Sequence, residues 1–392
     1  MKRYLIKLGE ISLKGQNRNI FQKRLAKNIK DKFEPYKVNI QSQKGRLFAT
    51  SEEEIPYDIA KKVLSTTFGL DGWAECVSSK GKTVEGLNSF IDAEIQKDGW
   101  LTDPFTFKVI TKREDKKFPL NSYEISCLAA DKILTKNPNA NVNLKSPEKI
   151  LYIEIRKEIY IYSSLQKGVR GLPVGTAGQG LSLLSGGIDS PVSTYLMASR
   201  GLRQELLYFH AYPYTTDEAK EKVVELARKL SPYLNGAVLH IVSFTELEIQ
   251  IQKHGFEREK TLMLRASMIK AAEMLAKKRR LSCLVTGEAL AQVASQTLEA
   301  LDFTSSFTDM NILRPLVGLE KETIIRYAQT IGTFETSILP YQDCCVLFSP
   351  KHPKTKPEKD KLILGFEKLN LNNIIQNAVD NTETIYIEAN SF

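Results

Sequence analysis

The chain has 392 residues, 42% hydrophobic and 26% charged, the composition of an ordinary globular protein of two or three domains. No apolar run reaches the roughly 18 residues of a membrane span. The opening Met1-Lys2-Arg3-Tyr4-Leu5-Ile6-Lys7 turns polar too soon for a secretory leader, so a cytoplasmic location and no membrane partner are expected. The net charge of +9 is unevenly placed: residues 1–170 hold 31 Lys+Arg against 21 Asp+Glu, and residues 171–392 hold 24 against 25. A basic excess confined to one region predicts a polyanionic partner, the plainer reading being a solvated basic surface. Five cysteines without CxxC or zinc spacing exclude a disulfide framework in this setting. Cys76, Cys127 and Cys283 sit among apolar residues and read as small core residues.

Taken in chain order, residues 3–8 read as a strand, 17–33 as a basic amphipathic helix, 37–41 and 46–49 as strands, 56–67 as a helix and 71–78 as a strand. This β-α-β-β-α-β order predicts a ferredoxin-like α+β unit. A helix over 83–97, a strand over 106–111, a helix over 122–135, a short strand at 143–145 and strands over 150–156 and 159–165 follow. The Gly-rich run 168–175 reads as a linker. Beyond it, strands at 181–184, 204–210, 237–243 and 282–286 alternate with helices at 190–200, 217–230, 258–279 and 320–331. Strand–helix alternation with near-continuous apolar strands predicts a doubly wound parallel sheet, with ligands at the carboxyl ends of its strands. Residues 351–361, with Pro353 and Pro357, read as an exposed loop.

Six residues carry the most chemistry: Ser185-Gly186-Gly187-Ile188-Asp189-Ser190, between the apolar run 181–184 and Pro191-Val192-Ser193-Thr194. Glycines let a backbone approach a ligand, and the N–H groups of a starting helix point at it, which makes an anion cradle for nucleotide phosphates. Ser190 fits the N-cap and Pro191 the first turn. The longer frame and the Lys of a Walker A loop are absent, and Asp189 is present instead. A plain Ser/Gly-rich turn is the simpler alternative. The SGGxDS pattern resembles the PP-loop of ATP pyrophosphatases, which activate a carbonyl oxygen as its adenylate and release pyrophosphate.

Further segments share one resemblance. Gly9-Glu10-Ile11-Ser12-Leu13-Lys14-Gly15-Gln16-Asn17-Arg18 is similar to the N-terminal signature of tRNA 4-thiouridine synthetases, and Lys112-Arg113-Glu114…Lys117-Phe118-Pro119…Ser122 to THUMP domains, an RNA-binding module. The SGGIDSP run, residues 209–215, Thr286-Gly287-Glu288, residues 291–297 and residues 314–321 resemble that family's PP-loop domain. The ordered set covers nearly the whole chain. It implies a ferredoxin-like domain at 1–60 (its last strand reaching 78), a THUMP domain at 61–167, a linker at 168–175 and a PP-loop domain at 176–392. It implies ATP-dependent conversion of the uridine at tRNA position eight to 4-thiouridine, and a second role handing sulfur to a carrier protein for thiamine thiazole synthesis. It further implies a separate sulfur donor, a cysteine desulfurase or rhodanese-type protein, and a homodimer. Some members carry a C-terminal rhodanese-like domain, for which too few residues remain here.

The resemblance also implies roles. Leu183, Leu184, Ser185, Gly186, Gly187, Ser190, Tyr208, Phe209, Arg265, Gly287 and Gln296 would hold ATP. Asp189 would orient Mg²⁺ or the departing pyrophosphate, the alternative being a turn residue. Arg265 lies in an apolar helical stretch where a guanidinium needs a partner, either a phosphate or an internal carboxylate. Gly287 would approach the ligand or form a helix-entry turn, and Lys321 would neutralise pyrophosphate or face solvent. Cys344 aligns with the family's catalytic cysteine, which carries sulfur as a persulfide, with Cys345 beside it; chance or structural thiols are the alternative. Lys14, Arg18, Arg24, Lys112, Arg113, Lys116 and Lys117 are candidates for phosphate contacts. Phe118 would stack on a base or join the core. Two other readings stand beside this one: a PP-loop RNA-modifying enzyme using a nitrogen nucleophile, and a non-catalytic RNA-binding module.

Overall fold

Side-chain alternation along the first strand already divides the N-terminal part into two faces. In β1 (Arg3–Leu8), Tyr4, Ile6 and Leu8 are buried on the helix-covered face, while Leu5 packs on the other. The computed structural model describes residues 3–43, 45–79, 81–97, 99–101, 103–341 and 354–389. These fall into two compact units, residues 1–170 and 171–392.

In the first unit, β1 is followed by α1 (Arg18–Lys32), β2 (Asn39–Gln43), β3 (Arg46–Thr50), α2 (Tyr57–Ser65) and β4 (Leu70–Ser79). The strands pair antiparallel in the order β2-β3-β1-β4, the ferredoxin-like arrangement. Leu25, Ile29, Val63 and Leu64 of the two helices pack on Tyr4, Ile6, Leu47 and Trp73 of the sheet. The chain continues through α3 (Val84–Ile95), β5 (Thr106–Arg113), α4 (Ser122–Lys136), β6 (Asn141–Val142), β7 (Lys149–Ile155), β8 (Ile159–Tyr162) and β9 (Gln166–Lys167). The start of α4 is held by a capping box between Asn121 and Glu124. The far end of β4, Val77–Ser79, pairs with β8, so both halves share one nine-stranded sheet. Residue 60 lies inside α2. The short strand expected at 143–145 lies at Asn141–Val142. The strand expected over 159–165 stops at Tyr162, and the chain rejoins the sheet as β9 against β4.

In the second unit, β10 (Gln179–Leu183), α5 (Asp189–Ser199), β11 (Arg203–His210), α6 (Asp217–Leu234), β12 (Ala237–Ser243), α7 (Thr245–His254), α8 (Lys260–Lys278) and β13 (Cys283–Val285) follow one another. Then come α9 (Leu298–Ser305), β14 (Asn311–Leu313), α10 (Lys321–Thr330), α11 (Phe334–Ser337), α12 (Lys359–Lys368), α13 (Asn372–Asp380) and β15 (Glu383–Ile387). Strand order is β14-β13-β10-β11-β12-β15, with all pairs parallel except the edge strand β15. Helices α7, α8, α9, α12 and α13 bury Leu247, Met263, Phe303, Phe366 and Ile375 in one core with Leu181, Leu207 and Val242 of the sheet. Helices α5, α6 and α10 form the second helical group. This is the expected doubly wound sheet. Of the expected loop at 351–361, residues 359–361 open α12, and residues 351–353 lie outside the described residues. Cys76 and Cys283 are buried and Cys127 is half-buried; burial pushes the Cys76 thiol up to about 12.

Candidate nucleotide site

The Ser185–Ser190 loop lies at the carboxyl end of β10, where a doubly wound sheet places its ligands. Ser190 does not cap a helix. Helix α5 starts at Asp189 without a side-chain cap, and the Ser190 hydroxyl serves the loop instead. The Ser185 N–H donates to Ser190 Oγ at 2.8 Å, and that hydroxyl donates back to the Ser185 carbonyl at 3.2 Å. The loop is thereby clamped across its ends. Neither Gly186 nor Gly187 has a positive φ, so left-handed backbone is not why they are there. A Cβ on Gly187 would have only Ser185 Oγ within 4 Å, at 3.6 Å, so the missing side chain leaves the loop surface clear.

Beside this loop is a cavity of about 230 Å³. Leu183, Leu184, Ser185, Gly187, Ser190, Tyr208, Phe209, Arg265, Gly287 and Gln296 line it, together with Asp189. Of the eleven residues expected to hold ATP, Gly186 alone is not on the wall. Leu183, Leu184 and Phe209, joined by Met268 and Ile269, make an apolar surface. Met268 and Ile269 lie three and four residues after Arg265 on α8, on the same helix face. That spacing is the signal that would have found them.

The charged groups come from distant parts of the chain. Lys321, the first residue of α10, donates to Asp189 Oδ1 at 2.5 Å, and Gln292 Nε2 donates to Asp189 Oδ2 at 2.8 Å. Lys321 is therefore an ion-pair partner of Asp189, with its side chain still 42% exposed. Arg265 has the internal partner its burial demands: it pairs with Glu288 and donates to Ser295 Oγ at 3.1 Å. Glu288, 4% exposed, also accepts from Arg314 Nε at 2.6 Å and Thr286 Oγ1 at 2.8 Å. Burial pushes the Glu288 carboxyl up, but Arg265 and Arg314 outweigh it and hold it below the usual range. Gly287 makes its close approach to protein: a Cβ there would stand 2.8 Å from the Ser190 nitrogen and 3.1 Å from the Asp189 carbonyl carbon. The turn after β13 thus packs on the first turn of α5.

The segment leading towards the cysteine pair is tied to the same region. Ser337 Oγ donates to the Gly187 carbonyl at 3.3 Å. Buried Lys222 of α6 donates to the carbonyls of Leu339 at 2.9 Å and Tyr341 at 3.3 Å. Cys344 and Cys345 lie outside the described residues.

The residues expected to contact RNA all belong to the first unit. Arg24, Lys112, Lys116 and Lys117 are exposed, and Arg18 is half-buried. Lys14 is 3.4 Å from Glu10 and lies over the Phe21 ring. One expectation needs correction. Phe118 is 4% exposed and packed with Leu87, Ile125 and Leu151, so its ring is not available to stack on a base. Arg113 is half-buried, and its Nη1 donates to the carbonyls of Phe118 and Leu120, at 3.1 and 3.2 Å, which fastens that loop.

Comparison with known proteins agrees with this geometry. The family described as "Thiamine biosynthesis protein (ThiI)" matches residues 175–371, a span containing every residue of the cavity wall. The ThiI ferredoxin-like domain matches residues 3–73 and the THUMP domain residues 93–164. A "Probable tRNA sulfurtransferase" of Acetivibrio thermocellus is 42% identical, with 98% of each chain covered. Another of that name, from Caldanaerobacter subterraneus, is 41% identical, again over 98% of each chain. The chain belongs to the tRNA sulfurtransferase family. A solved 4-thiouridine synthetase–RNA complex with bound ATP has the same architecture, with a TM-score of 0.90 at 31% identity, covering 99% of this chain and 100% of that one. Among the described residues no helix is long and apolar enough to cross a membrane, and no cluster of three or more His, Cys, Asp or Glu is placed to hold a metal.

Proposed function

We propose that the chain is an ATP-dependent tRNA sulfurtransferase that makes 4-thiouridine in tRNA, with the uridine at position eight as its target. The observation that carries the reading is the juxtaposition, at one strand-end cavity, of the clamped Ser185–Ser190 loop, the Asp189–Lys321 pair and Arg265. Family membership and the ATP-bound relative support it. The donor set fits ATP: an apolar wall of Leu183, Leu184, Phe209 and Met268 suits adenine, and Arg265 and the start of α5 on the wall, with Lys321 bonded to Asp189 beside it, suit phosphates.

Thiolating a uridine needs its C4 oxygen made into a leaving group and a sulfur nucleophile at C4. ATP, as co-substrate, transfers its adenylyl group to O4 as the bond between its α- and β-phosphates breaks, and pyrophosphate departs. The protein orients the phosphates with the glycine loop and Arg265, and Lys321 offsets charge as pyrophosphate leaves. Asp189 would hold Mg²⁺ in exchange for its Lys321 and Gln292 partners, and the ion would supply positive charge to the phosphates. Cys344 carries the sulfur as a persulfide charged by a separate donor, a cysteine desulfurase or rhodanese-type protein; its terminal sulfur attacks C4 and expels O4 as AMP, and a partner thiol then cleaves the S–S bond, leaving sulfur on C4 and a mixed disulfide on Cys344. The first unit, with its ferredoxin-like and THUMP parts, grips the tRNA, residues 168–175 join it to the PP-loop domain, and the working form is a cytoplasmic homodimer. A persulfide of this kind also suits delivery of sulfur to a carrier protein for thiazole synthesis.

Incubation of tRNA with the protein, ATP, Mg²⁺ and a persulfide source, followed by nucleoside mass analysis, yields 4-thiouridine. Absence of any thiolated uridine overturns the proposal. Cys344→Ser abolishes the product while leaving tRNA-dependent pyrophosphate release, and full thiolation by that variant removes the cysteine from the mechanism.

A further inference from the structure

The buried charges beside the cavity do not balance. Two guanidiniums, Arg265 and Arg314, meet one carboxylate, Glu288, leaving a formal excess of one positive charge. The three side chains are only 19%, 18% and 6% exposed, so solvent does little to absorb that excess. Among the described residues the remaining partners of the cluster are neutral hydroxyls: Ser295 for Arg265, Thr286 for Glu288 and Ser305 for Arg314, the last at 2.8 Å. Arg265 and Glu288 are on the cavity wall and Arg314 is not.

We propose that Glu288 is a positioning residue for ATP: anchored by Arg314 from behind the wall and by Thr286 on it, it holds the Arg265 guanidinium on the cavity wall as a preset phosphate clamp. The inference rests on the function proposed above. Each Glu288 oxygen has a separate task. Oε1 takes Arg265, and Oε2 takes Arg314 and Thr286. A carboxylate on the wall of a triphosphate site is tolerable only because both its oxygens are engaged in this way. A guanidinium presents five donors in a rigid plane. With one edge fixed by Glu288 and Ser295, Arg265 cannot fold back onto the apolar face of α8, and its remaining capacity is directed into the cavity. The excess positive charge is then met by phosphate when ATP enters.

The test is calorimetric titration of the full-length protein with ATP, for wild type, Glu288→Gln, Arg314→Gln, Arg265→Gln and Glu288→Gln combined with Arg265→Gln. Glu288→Gln keeps the shape and loses the charge, and ATP affinity falls about tenfold, the scale of one charge-assisted hydrogen bond. Arg314→Gln, which does not touch the wall, lowers affinity in the same direction and carries the test should Glu288→Gln fail to fold. In the Arg265→Gln background, Glu288→Gln adds less than about twofold, because both changes remove one clamp. Competition by adenosine, which has no phosphate, keeps its wild-type strength in Glu288→Gln. Wild-type affinity for ATP in Glu288→Gln, full additivity with Arg265→Gln, or an equal loss of adenosine binding overturns the inference. Wild-type protein that binds no ATP overturns the proposed function and this inference together.

Discussion

Asp189 and Lys321 are 132 positions apart, yet their side chains meet at 2.5 Å. Each had a bland alternative in the sequence, a turn residue and a solvated lysine; the structure pairs the two side chains while leaving Lys321 exposed to solvent. A carboxylate bonded by Lys321 on one oxygen and Gln292 on the other is held ready beside the phosphate loop. Asp189→Asn keeps the shape and removes the charge. The expected outcome is unchanged tRNA binding by filter retention and a loss of about a hundredfold or more in pyrophosphate release, the scale of one preorganised electrostatic contact. Ser190 shows the opposite case. Its N-cap role was the natural local reading, but a hydroxyl five residues from Ser185 closes the loop instead. Phe118 likewise could not be placed from its neighbours, because burial of an aromatic is decided by what packs over it.

At the scale of elements, the site depends on how the turn after β13 seats against α5. Gly287→Ala drives a methyl group into backbone atoms of Asp189 and Ser190 that have no flexible end to yield. The expected cost is about 1–3 kcal/mol of stability, read from urea midpoints, with weaker ATP binding as the loop shifts. The edge of the same sheet is fastened by charge. Glu205 of β11 accepts from His240 Nε2 of β12 at 2.7 Å and from Arg279 at 2.8 and 3.0 Å, and His240 Nδ1 is 3.0 Å from Thr384 Oγ1 of β15. Burial raises the Glu205 carboxyl, but the bonds from His240 and Arg279 prevail and bring it down to about 2. A depressed carboxyl stabilises the fold above its unfolded value of about 4.5 and loses that contribution as pH falls towards 2. Glu205→Gln therefore lowers stability at pH 7 by on the order of 2 kcal/mol, allowing for solvent at Arg279. The difference from wild type narrows at pH 3; a constant gap between the two pH values refutes the assignment. Among the short elements, β13 was legible as the apolar run at 282–286, whereas β14, also three residues long, has too few to show a period. Helix α9 has only eight residues and was not read from the sequence; its cap in the structure is Thr297, which accepts the Ala300 N–H.

For the whole molecule, the basic excess and the nucleotide loop fall in different compact units. Reversing Arg24 and Lys112 to Glu, both exposed and in the first unit, weakens tRNA binding and reduces the slope of log affinity against log salt by about 2 if each meets one phosphate. ATP titration of the same variant matches wild type. An unchanged salt slope removes these two positions from the interface. Charge partition, the SGGIDS loop with its flanking strand and helix, and the alternation beyond residue 180 were all determined by sequence alone, because each depends on neighbours within a few turns of chain. The ion pairs were decided only by the tertiary structure. Glu288 reaches Arg265 and Arg314 across 23 and 26 positions, and Lys321 reaches Asp189 across 132. Such pairs form only when separate strand ends converge on one side, and desolvation there makes each partner necessary to the other.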